Sequence, residues 1–320
     1  MTDKAILVTG AAGFIGFHLS RKLLEMDIRV IGIDNLNSYY DVNLKIKRLE
    51  ILRSYGSFLF YKENIQNFEA LSKIFSQNRI DIICNLAAQA GVRYSMEDPF
   101  SYAKSNLEGF LSLLETARKF GTENFVYASS SSVYGENKEI SFSVGDKTDS
   151  PISLYGATKK ANELIAFAYS HLYGIPCTGL RYFTVYGPWG RPDMALFLFT
   201  EAILKKRPIN VYNCGNMKRD FTYIDDIVEG TIAALKRPAP YEIFNLGNSN
   251  PVQLLEFIGI LEKELGEKAE KNMLPMQPGD VPETKADISK SHELLGFHPK
   301  TSVQEGIKRF VAWYRDYYMI

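Results

Sequence analysis

Residues 6–16 read ILVTGAAGFIG, and no other stretch restricts the possible folds as much. The apolar, β-branched run Ala5–Thr9 predicts a buried strand, and an amphipathic pattern over Gly16–Met26 predicts a helix. Between them stand Gly10, Gly13 and Gly16, spaced G-x-x-G-x-x-G rather than G-x-G-x-x-G. A strand, a tight glycine turn and a helix N-terminus bring free backbone amides and the positive helix end to one point, which suits an anion such as a pyrophosphate. A glycine turn also has purely structural uses, so the triplet needs support. Asp34 supplies it by ending the second predicted strand, Arg29–Asp34, 18 residues after Gly16. A carboxylate there can accept both hydroxyls of an adenosine ribose and repels a 2′-phosphate. No arginine follows directly, which favours NAD over NADP; the alternative is an aspartate that only caps its loop.

The same alternation continues. Strands are predicted at Phe58–Tyr61, Ile80–Leu86, Phe125–Ser129, Thr178–Phe183 and Ile243–Leu246. Helices are predicted at Asn43–Ser54, Phe68–Gln77, Tyr102–Phe120 and Ser153–Tyr173. Strand–helix alternation with nearly continuous apolar strands implies an α/β fold, a Rossmann-type doubly wound parallel sheet covered on both faces. After Phe183 the rhythm changes. VYGPWGRPDM is rich in turn residues, and helices follow at Leu196–Lys205, Ile224–Leu235, Leu254–Leu265 and Val303–Tyr317. We expect an NAD-binding domain over residues 1–184 and a smaller, mostly helical substrate domain over 185–320, with about 223–247 returning to the first. Ligands of open α/β sheets bind beyond the carboxyl ends of the strands, so the cleft between the two parts is the expected site.

Composition removes other classes. Lys and Arg total 37 and so do Asp and Glu, which argues against a nucleic-acid coat or a membrane-surface protein. Cys84, Cys177 and Cys214 lack metal-ligand spacing, and His18, His171, His292 and His298 form no metal motif, so no metal is expected. MTDKAILVTG has neither a basic n-region nor a long apolar core, and no run approaches the ~18 apolar residues of a membrane span. The expectation is a soluble, cytoplasmic protein.

Two further stretches carry chemistry. In SPISLYGATKKANEL, Tyr155 and Lys159 are four apart near a helix start and share one face. A free tyrosine ionises near pH ~10. A nearby ammonium and a cationic nicotinamide would both favour the phenolate and make it a usable general base. Upstream, NFVYASSSSVYG places the four serines Ser129–Ser132 where a predicted strand ends.

Taken together, TGAAGFIG, DNLNSYYD, NLAAQAGVRYS, ASSSSVYG, YGATK, LRYFTVYGPWGRPDM, RDFTYIDD and PGDV resemble the extended short-chain dehydrogenases/reductases, and within them the NAD-dependent nucleotide-sugar 4-epimerases. YYDVNLK, AGVRYS and RYFTVYGPWGRPDMA are most similar to UDP-glucuronate 4-epimerases. The resemblance implies that the working hydroxyl lies 25 positions before the tyrosine, at Ser130, with Ser129 structural. Ser131 and Ser132 stand where related 4,6-dehydratases carry Asp and Glu, and related UDP-glucuronate decarboxylases carry Glu at the second position. Serine supplies no second acid or base near neutral pH, so the string reads as an oxidation site without that chemistry.

By the same resemblance, Gly10, Gly13, Phe14, Ile15 and Gly16 would hold the pyrophosphate, and Asp34, Asn35 and Asn37 the ribose. Asn64 and Ile65 would meet the adenine, and Leu86, Ala87, Ala88, Gln89 and Ser105 would line the cofactor. Tyr155, Lys159, Tyr182 and Val185 would lie beside the nicotinamide. Val211, Tyr212, Arg219 and Asp280 would meet the nucleotide, with Arg191 as a further candidate clamp, and Arg93 would be a further donor to the sugar's carboxylate. Ser131, Ser132 and Thr184 would face the sugar's C6 group. Neutral-sugar epimerases carry Asn where this chain has Thr184 and Arg where it has Gln277, so the Thr184 change favours a uronate and the Gln277 change alters the phosphate contacts. The implied reaction is UDP-glucuronate to UDP-galacturonate by C4 oxidation, rotation of the 4-keto sugar and re-reduction. The alternatives are a UDP-glucose or UDP-N-acetylglucosamine 4-epimerase, a UDP-glucuronate decarboxylase, and an inactive NAD-binding scaffold, from which loss of Tyr155, Lys159 or Ser130 would be expected. Helices Tyr102–Phe120 and Ser153–Tyr173 carry surplus apolar faces, which in similar enzymes form a homodimer interface.

Overall fold

Every residue of the first strand is buried, with Ile6 and Val8 in one hydrophobic core and Ala5 and Leu7 in another. Period-two alternation divides a strand between two layers, and apolar residues on both faces require cover on both. Burial of a side chain such as Leu7 stabilises the fold by roughly 1.5–3 kcal/mol. The computed structural model describes residues 4–137, 139, 141–277 and 279–320. Met1–Asp3 at the N-terminus and Pro278 of the PGDV stretch lie outside them.

The chain runs β1 (Ala5–Thr9), α1 (Phe14–Glu25), β2 (Arg29–Asp34), α2 (Val42–Arg53), β3 (Phe58–Lys62), α3 (Phe68–Gln77) and β4 (Ile82–Asn85). The single turns α4 (Tyr94–Glu97) and α5 (Pro99–Tyr102) follow, then a π-helical segment (Ala103–Glu108), α6 (Gly109–Phe120) and β5 (Asn124–Ser130). A 3₁₀ turn (Ser131–Tyr134), α7 (Leu154–Tyr173) and β6 (Cys177–Tyr182) come next. Beyond them lie β7 (Thr184–Tyr186), α8 (Ala195–Leu204), β8 (Ile209–Val211), β9 (Lys218–Arg219), β10 (Phe221–Tyr223), α9 (Ile224–Leu235) and β11 (Tyr241–Leu246). The chain ends with β12 (Val252–Gln253), α10 (Leu254–Leu265), β13 (Lys271–Met273), α11 (Ser289–Leu295) and α12 (Val303–Tyr318).

Seven strands form one parallel sheet in the order β11-β6-β5-β4-β1-β2-β3. The order reverses beside β1, which opens a crevice at the strand ends there. Residues of α3, α6 and α7 join the core on one face, and residues of α1, α2 and α9 join the core on the other. This is the doubly wound parallel sheet that the alternation implied. The core that holds Ile6 and Val8 continues into the C-terminal part, where α8, α10 and α12 pack around Phe197, Phe257 and Phe310. Short pairs β7–β10, β8–β13 and β9–β12 connect these helices. The chain then returns to the sheet: α9 lies on α1, β11 pairs with β6, and α11 packs against β11 and α9.

Two elements differ from the sequence reading. Ser153 caps α7 rather than opening it, because its hydroxyl accepts from Gly156 N. The expected helix Tyr102–Phe120 is interrupted by the π-helical segment, which carries Asn106. Such wide turns concentrate at functional sites. Asn106 accepts from Gln89 N at 2.8 Å and donates to Gln89 O and Thr158 Oγ1 at 3.0 Å each, while its carbonyl accepts from Asn162. One side chain thereby joins the β4 loop to α7. Among the described residues, no helix is long and apolar enough to cross a membrane.

A buried imidazole in α1 makes stability pH-dependent. His18 Nε2 lies 2.8 Å from Pro188 O, which can only accept, so Nε2 carries the proton. Burial pushes the His18 pKa down to about 3. The unfolded chain therefore binds the extra proton first, and stability present above pH ~6.5 is lost on acidification towards pH 3. At about 1.4 kcal/mol per pH unit, His18 removes about 2 kcal/mol by pH 5. His18→Gln keeps a donor without the titration. Urea unfolding should show a smaller stability difference between pH 7 and pH 5 in this variant than in the wild type.

Candidate active site

A cavity of about 1400 Å³ runs across the carboxyl ends of the sheet strands, bounded opposite by β7, β8, α8 and the segment around Asp280. At one end lies the glycine turn. Gly10 has φ +66°, and a Cβ on it would meet Ala87 N at 2.9 Å. A Cβ on Gly16 would meet Gly10 O at 2.1 Å, so neither position admits a side chain. Gly13 caps α1 with no side-chain hydrogen bond to the first-turn amides. Gly13, Phe14, Ile15 and Gly16 line the cavity beside that N-terminus, an arrangement that attracts anions.

Asp34 sits at the end of β2. Its Oδ2 accepts from Ala12 N at 3.1 Å and its Oδ1 from Leu36 N at 2.8 Å. Burial raises its pKa, against the pull of these bonds and of Lys45 and Arg48. The carboxylate therefore shapes the turn and the loop as well as lining the cavity. Asn35 donates to Asn64 at 2.7 Å, and Asn37 is held by Lys45 Nζ at 2.8 Å. Ile65, Leu86, Ala87, Ala88, Gln89 and Ser105 complete this half of the lining. Gln89 Nε2 is buried there with no protein partner among the described residues.

The three residues expected to carry the reaction meet at the centre. Tyr155 and Lys159 lie on the first turns of α7, and Ser130 ends β5. Ser130 Oγ accepts from Ser132 N at 3.1 Å, and both Ser130 and Tyr155 line the cavity. Burial raises the Tyr155 pKa, while Ser130 and the Arg191 charge lower it. Lys159 is buried, which lowers its pKa to about 8, and its Nζ donates to Ala128 O at 3.0 Å. That ammonium stands 6.0 Å from the Tyr155 ring centroid, and Arg191 adds a cation that the sequence reading, which named the lysine and the nicotinamide, did not include.

The serine string divides by role. Ser129 Oγ donates to Glu163 Oε1 at 2.6 Å, within a buried pair in which Arg181 grips Glu163 at 2.8 and 2.9 Å. This anchors the end of β5 to α7. Ser131, Ser132 and Thr184 line the cavity, and among the described residues their hydroxyls make no protein hydrogen bond. Tyr182 lies beside them with its hydroxyl bonded to Thr231 at 3.0 Å, and Val185 also lines the wall.

At the far end, Arg93 lies 3.3 Å from Asp280 and 4.5 Å above the Tyr212 ring. Arg219 joins them, donating to Lys218 O at 3.0 Å. Arg93 therefore stands with the Tyr212 end. Arg191 faces the centre, held by Asp193 at 3.0 Å. Tyr39 donates to the same carboxylate at 3.0 Å. Val211 is a correction: it is fully buried in the core, its carbonyl bonded by Leu274 N, and it does not line the cavity. In a short strand alternate side chains point oppositely, and its two chain neighbours, Asn210 and Tyr212, line the cavity instead.

Several contributors escaped the sequence reading: Tyr39, Lys45, Arg48, Asn106 and Asp193. Lys45 and Arg48 occur in a helix read as amphipathic, where cations ordinarily face water. DNLNSYYD and GRPDM were conspicuous as stretches, but spacing alone does not show that Tyr39 and Asp193 meet.

Comparison with known proteins agrees with this geometry. Residues 6–247 match the NAD dependent epimerase/dehydratase family. UDP-glucuronate 4-epimerase 4 of Arabidopsis thaliana is 50% identical over 331 residues, covering 98% of this chain and 76% of the relative. A Bacillus cereus UDP-glucuronic acid 4-epimerase, solved with UDP-glucuronic acid and NAD, superposes with a TM-score of 0.93 at 38% identity, covering 98% of this chain and 100% of that one. A Thermotoga maritima UDP-glucose 4-epimerase, solved with UDP-glucose, gives 0.89 at 34% identity, covering 98% and 99%. The family match and these relatives make the chain an NAD-dependent isomerase, and it belongs to the NAD dependent epimerase/dehydratase family.

Proposed function

We propose that this NAD-dependent UDP-sugar 4-epimerase acts on UDP-glucuronate and forms UDP-galacturonate. The observation that carries the choice of sugar is the group of unengaged hydroxyls of Ser131, Ser132 and Thr184 beside Ser130, with no carboxylate among them. Three neutral donors suit a C6 carboxylate, and the absence of a second acid or base suits a reaction that stops at C4.

The cofactor fits the cavity. The N-terminus of α1 takes the pyrophosphate, Asp34 the adenosine ribose, and the buried Gln89 amide has bonding capacity to offer. Bound NAD+ supplies the acceptor and then the donor of the C4 hydride. Tyr155 takes the O4 proton and later returns it, and Ser130 holds O4 and orients that proton. Lys159 keeps positive charge below the tyrosine. Arg93, Tyr212, Arg219 and Asp280 hold the uridine diphosphate end, and Arg191 meets the sugar nucleotide near Tyr155. In this reading residues up to 184 bind NAD and residues from 185 bind the sugar nucleotide, with about 223–247 returning to the sheet. Incubation with UDP-glucuronate, UDP-glucose and UDP-N-acetylglucosamine, with chromatographic separation of products, tests the assignment. Preferential turnover of either neutral sugar would overturn it.

We further propose a homodimer through α6 and α7. Leu111, Leu164, Phe167 and Leu172 are 43, 59, 54 and 66% exposed on these helices, and a second copy would cover them as a four-helix interface. Light scattering at micromolar concentration should give twice the 36.3 kDa chain mass. A monomer would refute the interface.

A further inference from the structure

Arg48 is among the largest fully buried side chains, and among the described residues no carboxylate is within ion-pairing distance of it. A guanidinium remains charged in proteins, and burying one without a counter-ion is costly. Here the charge is solvated by oxygens from three separate segments. Nη1 donates to Ala12 O in the glycine turn and to Tyr40 Oη in the β2–α2 loop, both at 2.8 Å. Nη2 donates to Trp189 O at 2.5 Å and Gly190 O at 3.2 Å, in the turn after β7. His18 holds the preceding carbonyl, Pro188 O. Three successive carbonyls of the GPWG turn are thus gripped by α1 and α2.

The turn itself is unusual. Trp189 has φ +59°, a left-handed conformation that a non-glycine residue adopts at a cost. Ring contacts at 5.5 Å from Phe17, 5.3 Å from Trp313 and 5.1 Å from Tyr317 keep it there. Arg191 follows one residue after Gly190 and lines the cavity, so the orientation of the Trp189 and Gly190 peptides decides where its guanidinium lies. Ala12, at the other end of the grip, also donates its N–H to Asp34.

We propose that Arg48 is a positioning residue for epimerisation: it fixes the Pro188–Gly190 turn against the glycine turn and so sets where Arg191 meets the sugar nucleotide. The proposal rests on the UDP-sugar reading of the cavity, though not on which sugar is used. Arg48 touches neither substrate nor reacting atoms; it acts through Arg191.

A double-mutant cycle tests this. Arg48→Lys keeps the charge and loses the planar fork that reaches four oxygens. With the UDP-sugar that the wild type turns over, Arg48→Lys should raise KM about tenfold and lower kcat less than about threefold. In an Arg191→Ala background the same change should alter kcat/KM less than about twofold, because the group it positions is gone. Its effect on Tm should be equal in both backgrounds, whereas a merely structural role would make both effects equal. An undiminished kinetic effect in the Arg191→Ala background, or wild-type kinetics in Arg48→Lys, overturns the proposal. If Arg48→Lys does not fold, His18→Leu carries the same cycle by releasing Pro188, with the same two outcomes. A wild type inactive on all three UDP-sugars would instead overturn the functional reading and this proposal with it, a result distinct from additivity in an active enzyme.

Discussion

Tyr155→Phe is expected to lower kcat at least ~10²-fold, the contribution of a positioned general base, while fold and bound NAD are retained. The substitution removes one oxygen from a ring that also packs edge-on against Tyr102 at 6.1 Å, and phenylalanine preserves that contact. Burial raises the Tyr155 pKa while Ser130 and Arg191 lower it, and in the proposed reaction the charge of bound NAD+ would add to their effect in releasing the proton. Ser130→Ala should also slow turnover, because it removes one of these aids. Ser129→Ala should act through stability instead, since its hydroxyl serves the buried Glu163–Arg181 pair. Circular dichroism, cofactor content and steady-state rates separate the cases. Near-full kcat in Tyr155→Phe would sink the assignment.

Thr184→Val and Ser132→Ala are expected to change the product as well as the rate. The 4-keto form of UDP-glucuronate is a β-keto acid, whose carboxylate sits on C5 beside the C4 carbonyl. Carbon dioxide leaves readily when the C5–carboxylate bond stands perpendicular to the carbonyl plane, because the breaking bond then feeds the developing enolate. An epimerase must hold the carboxylate away from that geometry through both half-reactions. Ser131, Ser132 and Thr184 present hydroxyls to the cavity that no backbone group engages among the described residues, so they are available for this work. Removing one should release some UDP-4-keto-pentose and leave reduced cofactor on the enzyme, visible as nicotinamide absorbance and as a product about 46 mass units lighter than UDP-glucuronate, by loss of CO2 and of the two hydrogens removed in the C4 oxidation. Slower but clean epimerisation would show that these hydroxyls do not restrain the carboxylate.

The sequence determined the sheet and the direction of its strands. Continuous apolar runs alternating with helical periods leave few arrangements other than a parallel sheet covered on both faces, and Gly10, Gly16 and Asp34 announce themselves because their chemistry is local: a turn too tight for a Cβ and a carboxylate at a strand end. Tyr155 and Lys159 were legible for the same reason, being one helical turn apart. What the tertiary structure alone decided depends on residues distant in the chain. Arg48 reads in sequence as a solvated helix cation, yet it is buried against Trp189, 141 positions away. Val211 reads as a lining residue, yet a short strand turns it into the core and turns Tyr212 outward. Ser129 and Ser130 are chemically identical neighbours that the resemblance told apart, and the pleat of β5 gives the physical reason, sending the Ser129 hydroxyl to Glu163 and leaving Ser130 to the cavity with Tyr155. Local backbone chemistry is written in spacing; which side chains meet across the cleft is set by the packing of separate elements, and spacing does not encode it.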